Sequence, residues 1–459
     1  MGSYQQFAAP HAGAGKIPYR LFWDWDHCTT WCLNVPGSQY SGVANAYTKE
    51  GKYFELDYRR MVDWCAANGM DAIGIVGILR DRHGGVDSVR RLCSYAMEKG
   101  VRIYMIAGLY AYNGIYYEGD HPYTLESFFA KNPDAIGRDK DGNPLLIEFK
   151  GKWGHKKELQ GCPSNPKLRE FVLESLDWAF REIPELGGIQ MEAGDCGVCQ
   201  CDLCRERRGA KAVKDYKSFE DMAGIYPQAA DVVWKRNPEA WVICETYHHF
   251  LDEASQLLKT EHPSPDLQRL FDMPEKTFFQ WKCDRELDAD SWQEGAELPD
   301  SMKKFRHIMR AHSGTQWWGG RHTFAADRIR RQCRLSYESG LQAVSMFGES
   351  SPFHTNAEFN YLALTYFADH PLSDMEHYAE DIMAPRLGGM NAAECYLKYA
   401  PLTAEPEKIP GAVEEIAKIA AKVGDLDSIR RWNWLSTFLS SYYWEYRHQD
   451  DTAQEFHLD

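Results

Sequence analysis

The chain has 459 residues, 44% of them hydrophobic, enough for one eight-stranded α/β barrel of roughly 250–400 residues with an appendage. Its formal charge of −15, with no basic stripe to neutralise phosphates, excludes a nucleic-acid partner. No run approaches the roughly 20 apolar residues that cross a bilayer, so no membrane partner is expected either.

The first residues, Met1-Gly2-Ser3-Tyr4-Gln5-Gln6, lack a charged stretch followed by an apolar one; no export signal is expected, and the expected location is the cytoplasm. After a lead-in at 1–18, short apolar runs alternate with amphipathic helical patterns, as in a parallel sheet buried on both faces. Strand one is Tyr19–Trp23, running into Asp24-Trp25-Asp26-His27, with a helix from Asp57 to Asn68 closed by Gly69. Strand two spans Asp71–Leu79, and its helix runs from Val86 to Lys99 before Gly100. Strand three, Val101–Tyr110, opens a long Gly-, Tyr- and charge-rich excursion that ends near Cys162-Pro163-Ser164-Asn165-Pro166, before a helix from Lys167 to Glu182. Loops of that length in a compact fold usually carry function.

Strand four is Gly188–Glu192, followed by a cysteine-rich loop and a helix near Ser218 to Arg236. Strand five is Trp241–Glu245, leading into Thr246-Tyr247-His248-His249, and strand six is Thr277–Trp281. Strand seven spans Phe305–Ala311 and strand eight Gln342–Phe347; from Glu358 onward the pattern is helical. Eight strand–helix units in order, with no Gly-rich phosphate fingerprint after strand one, predict a closed (β/α)₈ TIM barrel over 19–370. A helical extension with a polar tail fills 371–459.

In such a barrel the active site lies at the carboxyl ends of the strands. Those ends carry carboxylates interleaved with indoles, the groups that glycoside cleavage needs: a protonated acid for the leaving oxygen, an ionised one for the anomeric carbon and apolar rings for the sugar face. Glu192 ends a buried strand and is the first candidate for the acid. Glu245, on the next strand, and Glu349, after strand eight, are candidates for its partner, the nearer one suiting retention and a more distant one inversion. Asp24, Asp26, Asp195, His248, Trp281, Trp317 and Trp318 are expected to bind the sugar.

After Asp195 comes C-x₂-C-x-C-x₂-C, formed by Cys196, Cys199, Cys201 and Cys204. Such a density of thiols suits a closed structural Zn²⁺ site, with Cys162 able to replace one local ligand; disulfides or free thiols are the alternatives. No catalytic cofactor is expected, because four sulfurs leave no position for water and no H-E-x-x-H motif occurs. Other cysteines, such as Cys65, Cys93, Cys333 and Cys395, sit singly in helical patterns and read as free thiols.

The acidic strand-four end Gln190-Met191-Glu192-Ala193-Gly194-Asp195, the Cys-x-Cys-x₂-Cys loop after it and the helices after strand eight resemble the barrel glycoside hydrolases that include the family 20 hexosaminidases and the family 67 α-glucuronidases. The carboxylates and indoles of the strand ends make an exo-acting or short-chain glycoside hydrolase the main expectation. Family 20 carries adjacent Asp-Glu where the acids here stand three apart. A further similarity, to the inverting family 156 sialidases, implies an Asp/His pair drawn from Asp24 or Asp26 and His121 or His155. A carbohydrate is the expected partner, and a homodimer is compatible with the sequence. The competing readings are a non-catalytic carbohydrate-binding barrel and a metal-dependent hydrolase using His248, His249, Asp24 and Asp26, whose spacing does not suit a metal centre.

Overall fold

The computed structural model describes residues 16–25, 51–151, 154–192, 198–208, 219–249, 258, 260–288, 298–314, 322–347 and 354–448. In chain order the elements are β1 (Tyr19–Trp25), α1 (Gly51–Asn68), β2 (Ala72–Val76), α2 (Gly85–Glu98), β3 (Arg102–Gly108), α3 (Leu125–Lys131), the hairpin strands β4 (Leu146–Gly151) and β5 (Gly154–Leu159), and α4 (Pro166–Glu182). They continue with β6 (Gly188–Glu192), α5 (Asp202–Arg208), α6 (Phe219–Ala223), α7 (Tyr226–Arg236), β7 (Trp241–His249), α8 (Pro265–Phe271), β8 (Phe278–Lys282), α9 (Asp284–Asp288), β9 (Arg306–His312), α10 (Ala326–Glu338), β10 (Ala343–Phe347) and α11 (Thr355–Asp369).

Eight parallel strands close in the order β1-β10-β9-β8-β7-β6-β3-β2. The expected TIM barrel is therefore the observed fold. Helices follow beyond α11, the longest being Ile409–Ala420 and Leu426–Arg447. Among the described residues no helix is long and apolar enough to cross a membrane.

Two layers of core follow from the period of two along each strand. Phe22, Ile73, Ile103, Met105, Ile189, Met191, Val242, Cys244, Phe279 and Trp281 face outward into a helix-facing core that continues to Leu439 in the last helix. Leu21, Trp23, Ala72, Val76, Tyr104, Ile106, Trp241, Ile243, Phe278, Ile308, Ala343 and Phe347 fill the inside. Gly74 is required here, because a Cβ at that position would lie 2.3 Å from the Tyr104 ring. Where α4 begins, Asn165 accepts from the Leu168 amide at 3.1 Å and Pro166 occupies the first turn, which extends the expected helix by one residue.

Several boundaries differ from the expected ones. Strand two stops at Val76, not Leu79, because Gly77 turns the chain at φ 69°. The long excursion after β3 contains the β4–β5 hairpin, whose second strand has no apolar run to announce it. The helix after strand one starts at Gly51, not Asp57.

Candidate active site

The barrel interior changes character toward its carboxyl end. Below lie rings and aliphatic side chains; above them the inward positions are Gln190 and Glu192 on β6, Glu245 on β7, Gln280 on β8, Arg310 and His312 on β9, and Ser345 on β10. Most of these polar side chains are fully buried, so each must find partners.

Glu192 is 4% exposed, and its Oε1 accepts from the Gln190 side-chain amide at 3.2 Å. Glu245 has no exposed surface, and its surroundings differ. Its Oε1 accepts from the Tyr247 backbone amide at 2.9 Å, and its Oε2 accepts from the Gln280 amide and lies 3.5 Å from Arg310 Nε. The Tyr247 amide is aimed by a register shift in β7 between Glu245 and His249, with Tyr247 itself at φ 55°. Tyr226 ties the two strand ends together, its hydroxyl donating to the carbonyls of Met191 (2.8 Å) and Glu245 (3.0 Å).

Arg310 organises this layer. Burial works against its charge, but Glu245 and then Asp284 outweigh that and hold its pKa above the ordinary value. Its guanidinium lies 5.3 Å from the Trp23 ring centre, and its Nη1 donates to His312 Nε2 at 2.9 Å. Burial, reinforced by Arg310, pushes the His312 pKa down to about 3, so this ring is neutral and carries its proton on Nδ1. The His312 amide is held in turn by Asp284 at 2.8 Å, which pairs with Arg328 at 3.0 Å. Trp23 packs edge-on against Phe347 at 4.6 Å and forms an apolar wall beside Arg310.

Of the expected site residues, Glu192 and Glu245 directly follow the register partners Met191 and Cys244 on neighbouring strands. Trp281 does not join them. It alternates with the inward-facing Gln280 and so points into the helix-facing core, where its indole donates to His307 Nδ1 at 3.0 Å. Asp26, Asp195, Trp317, Trp318, Glu349 and Cys196 lie outside the described residues, while Asp24 and His248 are described as backbone positions of β1 and β7. His121 is committed to packing: it stacks on Tyr116 at 4.0 Å and lies 4.6 Å from Trp178 of α4. Strand-two-end Arg80 pairs with Glu118 at 2.8 Å, and Asp81 accepts from the Tyr116 hydroxyl at 2.5 Å, so both brace the excursion.

Sequence reasoning missed Arg310, Gln280, Gln190 and Trp23. The signal for Arg310 was the alternation Arg306, Ile308, Arg310, His312, which puts charge on the inward face of β9.

Beside the barrel mouth, the sulfurs of Cys162, Cys199, Cys201 and Cys204 all lie within 4.8 Å of one another. The cluster thus draws one member from the excursion, two from the loop after β6 and Cys204 from the first turn of α5. Cys65, Cys93 and Cys333 are buried free thiols, as expected, and Cys395 is a half-buried one.

No protein-family model matches the chain, and no curated protein matches it. Among solved structures it is similar in fold to an exo-β-N-acetylglucosaminidase from Vibrio harveyi, at 10% identity and TM-score 0.43, over 78% of this chain and 55% of that one. A β-N-acetylhexosaminidase from Bacteroides fragilis gives 12% identity and TM-score 0.43, over 78% and 65% of the two chains. An α-amylase from Geobacillus thermoleovorans gives 9% identity and TM-score 0.40, over 78% and 79%. The chain therefore spans less than two thirds of the length of both hexosaminidase-type structures. The expected likeness to barrel glycoside hydrolases holds at the level of the fold.

Proposed function

We propose that the protein hydrolyses a glycosidic bond of an oligo- or polysaccharide, with Glu192 protonating the leaving oxygen and Glu245 as the anionic partner. The observation that carries this reading is the pairing of the two strands. Glu192 and Glu245 directly follow Met191 and Cys244, which are register partners on neighbouring strands. Main chains of in-register parallel strands lie about 4.8 Å apart, so the two side chains start from neighbouring positions, which supports the short separation of a retaining pair over the wider inverting one.

The two acids have unlike surroundings, as the reaction demands. The Gln190 side-chain amide donates to Glu192, whereas Glu245 lies 3.5 Å from Arg310 Nε and accepts from the Gln280 amide. In the first step Glu192 gives its proton to the departing oxygen while Glu245 bonds to the anomeric carbon; in the second, Glu192 takes a proton from the water that releases the sugar. Trp23, 7% exposed, offers apolar surface for the C–H face of the ring. Asp24, Asp26, Asp195, His248, Trp317 and Trp318 are proposed to hold the sugar hydroxyls and rings, and Glu349 is the reserve for a partner in an inverting mechanism.

The complete burial of Glu245 favours one rival, a carbohydrate-binding barrel in which Glu245 serves only to neutralise Arg310. A panel of aryl glycosides and natural oligosaccharides separates the two. Glu192→Gln should lower turnover by roughly 10²–10⁴-fold, least for substrates with good leaving groups. Glu245→Ala should lose turnover and regain part of it with azide, releasing a glycosyl azide. Full turnover in Glu192→Gln would overturn the assignment of the acid. Binding without cleavage by the wild type, together with no azide rescue, would favour the binding barrel.

A further inference from the structure

We propose that Cys162, Cys199, Cys201 and Cys204 form a structural Zn²⁺ site that fastens the excursion after β3 to the loop after β6, beside Glu192. This goes beyond the proposed hydrolysis and does not depend on it. It also replaces the ligand set suggested by the local sequence, since Cys162 takes the place expected for Cys196.

The geometry favours one metal over two disulfides. Sulfurs 2.3 Å from a tetrahedral zinc stand about 3.8 Å from one another. Cys162 Sγ lies 3.7 Å from Cys201 Sγ and 3.6 Å from Cys204 Sγ. A thiol equally distant from two others is a vertex of a polyhedron, not half of a bonded pair. Three of the four cysteines are buried, where unliganded thiols pack as small apolar groups and need no such convergence.

The surroundings suit four thiolates, whose complex with Zn²⁺ carries a net charge of −2. The Arg138 amide donates to Cys199 Sγ at 3.3 Å, and Arg207 Nη2 donates to Cys204 Sγ at 3.7 Å. Ser164 Oγ lies 3.1 Å from Cys204 Sγ and accepts from Arg207 Nη1 at 2.7 Å, so its hydroxyl hydrogen is available to the sulfur. Arg208 holds the loop itself, donating to the Cys199 carbonyl at 2.6 Å. Both guanidiniums share Asp221, which leaves the pair with one net positive charge close to the sulfurs. Donors and cations of this kind orient and stabilise metal-bound thiolates. Binding exchanges four S–H protons for one divalent cation; those protons go to solvent and no sulfur is oxidised.

Nothing here provides a catalytic metal. Four sulfur ligands close the coordination sphere, so the effect on chemistry is mechanical. The Leu109 amide, at the start of the excursion, donates to the Glu192 carbonyl at 2.8 Å, and the Gly161 amide near its end donates to the Tyr110 carbonyl at 2.7 Å. A clamp at Cys162 therefore fixes the chain on both sides of the acid.

The test is elemental analysis of the full-length protein purified without added metal or chelator. About one zinc per chain is expected in the wild type, in Cys196→Ser and in the control Cys93→Ser, and near zero in Cys162→Ser and Cys201→Ser. Where a serine variant fails to fold, Co²⁺ exchange into the wild type is the second readout: a sulfur-to-cobalt charge-transfer band with intense ligand-field bands marks tetrahedral thiolate ligation. Absence of zinc with an oxygen-coordinated cobalt spectrum would overturn the proposal. So would loss of zinc from Cys196→Ser with its retention in Cys162→Ser, or disulfides among these four residues.

Discussion

Acid should destabilise the barrel through two histidines of β9. His312 accepts from Arg310 and carries its proton on Nδ1; His307 accepts from the Trp281 indole and donates through Nε2 to the Met302 carbonyl at 2.8 Å. A second proton would face a donor in both cases. Burial brings His307 to about 4, and burial with Arg310 brings His312 to about 3; Lys282 and Arg328 also oppose charge on His312, while Asp284 favours it. Both folded-state values lie below the unfolded value of about 6.5, so the unfolded chain binds more protons between those limits and stability falls as pH falls. From pH 7 to pH 5 the linkage costs about 2 kcal/mol per histidine, about 4 kcal/mol for the two. Denaturant unfolding at both pH values should reveal this loss in the wild type and most of it missing from a His307→Gln/His312→Gln variant. Other titrating groups act on both proteins, so the difference isolates the pair. Equal losses in the two proteins would refute the reasoning.

Arg310→Met should destabilise the fold by about 3–5 kcal/mol, because Glu245 is left buried beside no cation. Adding Glu245→Gln should restore at least half of that in a double-mutant cycle, and purely additive losses would argue against a coupled pair. Gly74→Ala should cost about 1–3 kcal/mol by forcing the new Cβ into the Tyr104 ring, with partial recovery in Gly74→Ala/Tyr104→Val; unchanged stability of the single variant would mean that the barrel interior is looser than its contacts indicate.

Most of the barrel was legible because its strands are sandwiched between two cores and therefore read as apolar runs. β6 is the plainest case, with observed limits of Gly188 and Glu192 that match the expected ones. β9 was harder and shifted by one residue, from Phe305–Ala311 to Arg306–His312, because its inward face carries Arg306, Arg310 and His312 in place of aliphatic side chains. The hairpin strand Gly154–Leu159 has no apolar run at all. Trp281 was misjudged for a different reason: composition identifies an indole near a strand end, but only the inward position of Gln280 reveals which face the indole takes. Cys162 lies 42 residues before Cys204, and sequence distance favoured Cys196 until the excursion folded back.

These misjudged residues share a cause that bears on the site. Apolar patterning reports burial and says little about which buried polar groups face one another. Glu192 and Glu245 look equivalent in sequence, each ending a buried strand. They differ through neighbours on other strands: Gln190 two residues earlier on the same face for one, and Gln280 and Arg310 from β8 and β9 for the other. The side-chain partners of the second glutamate thus come from strands far along the chain, while the backbone of the first is held by the excursion through Leu109. An acid/base pair made this way depends on closure of the whole barrel. Displacing β9 would therefore alter Glu245 before Glu192, and releasing the cysteine cluster would disturb Glu192 first.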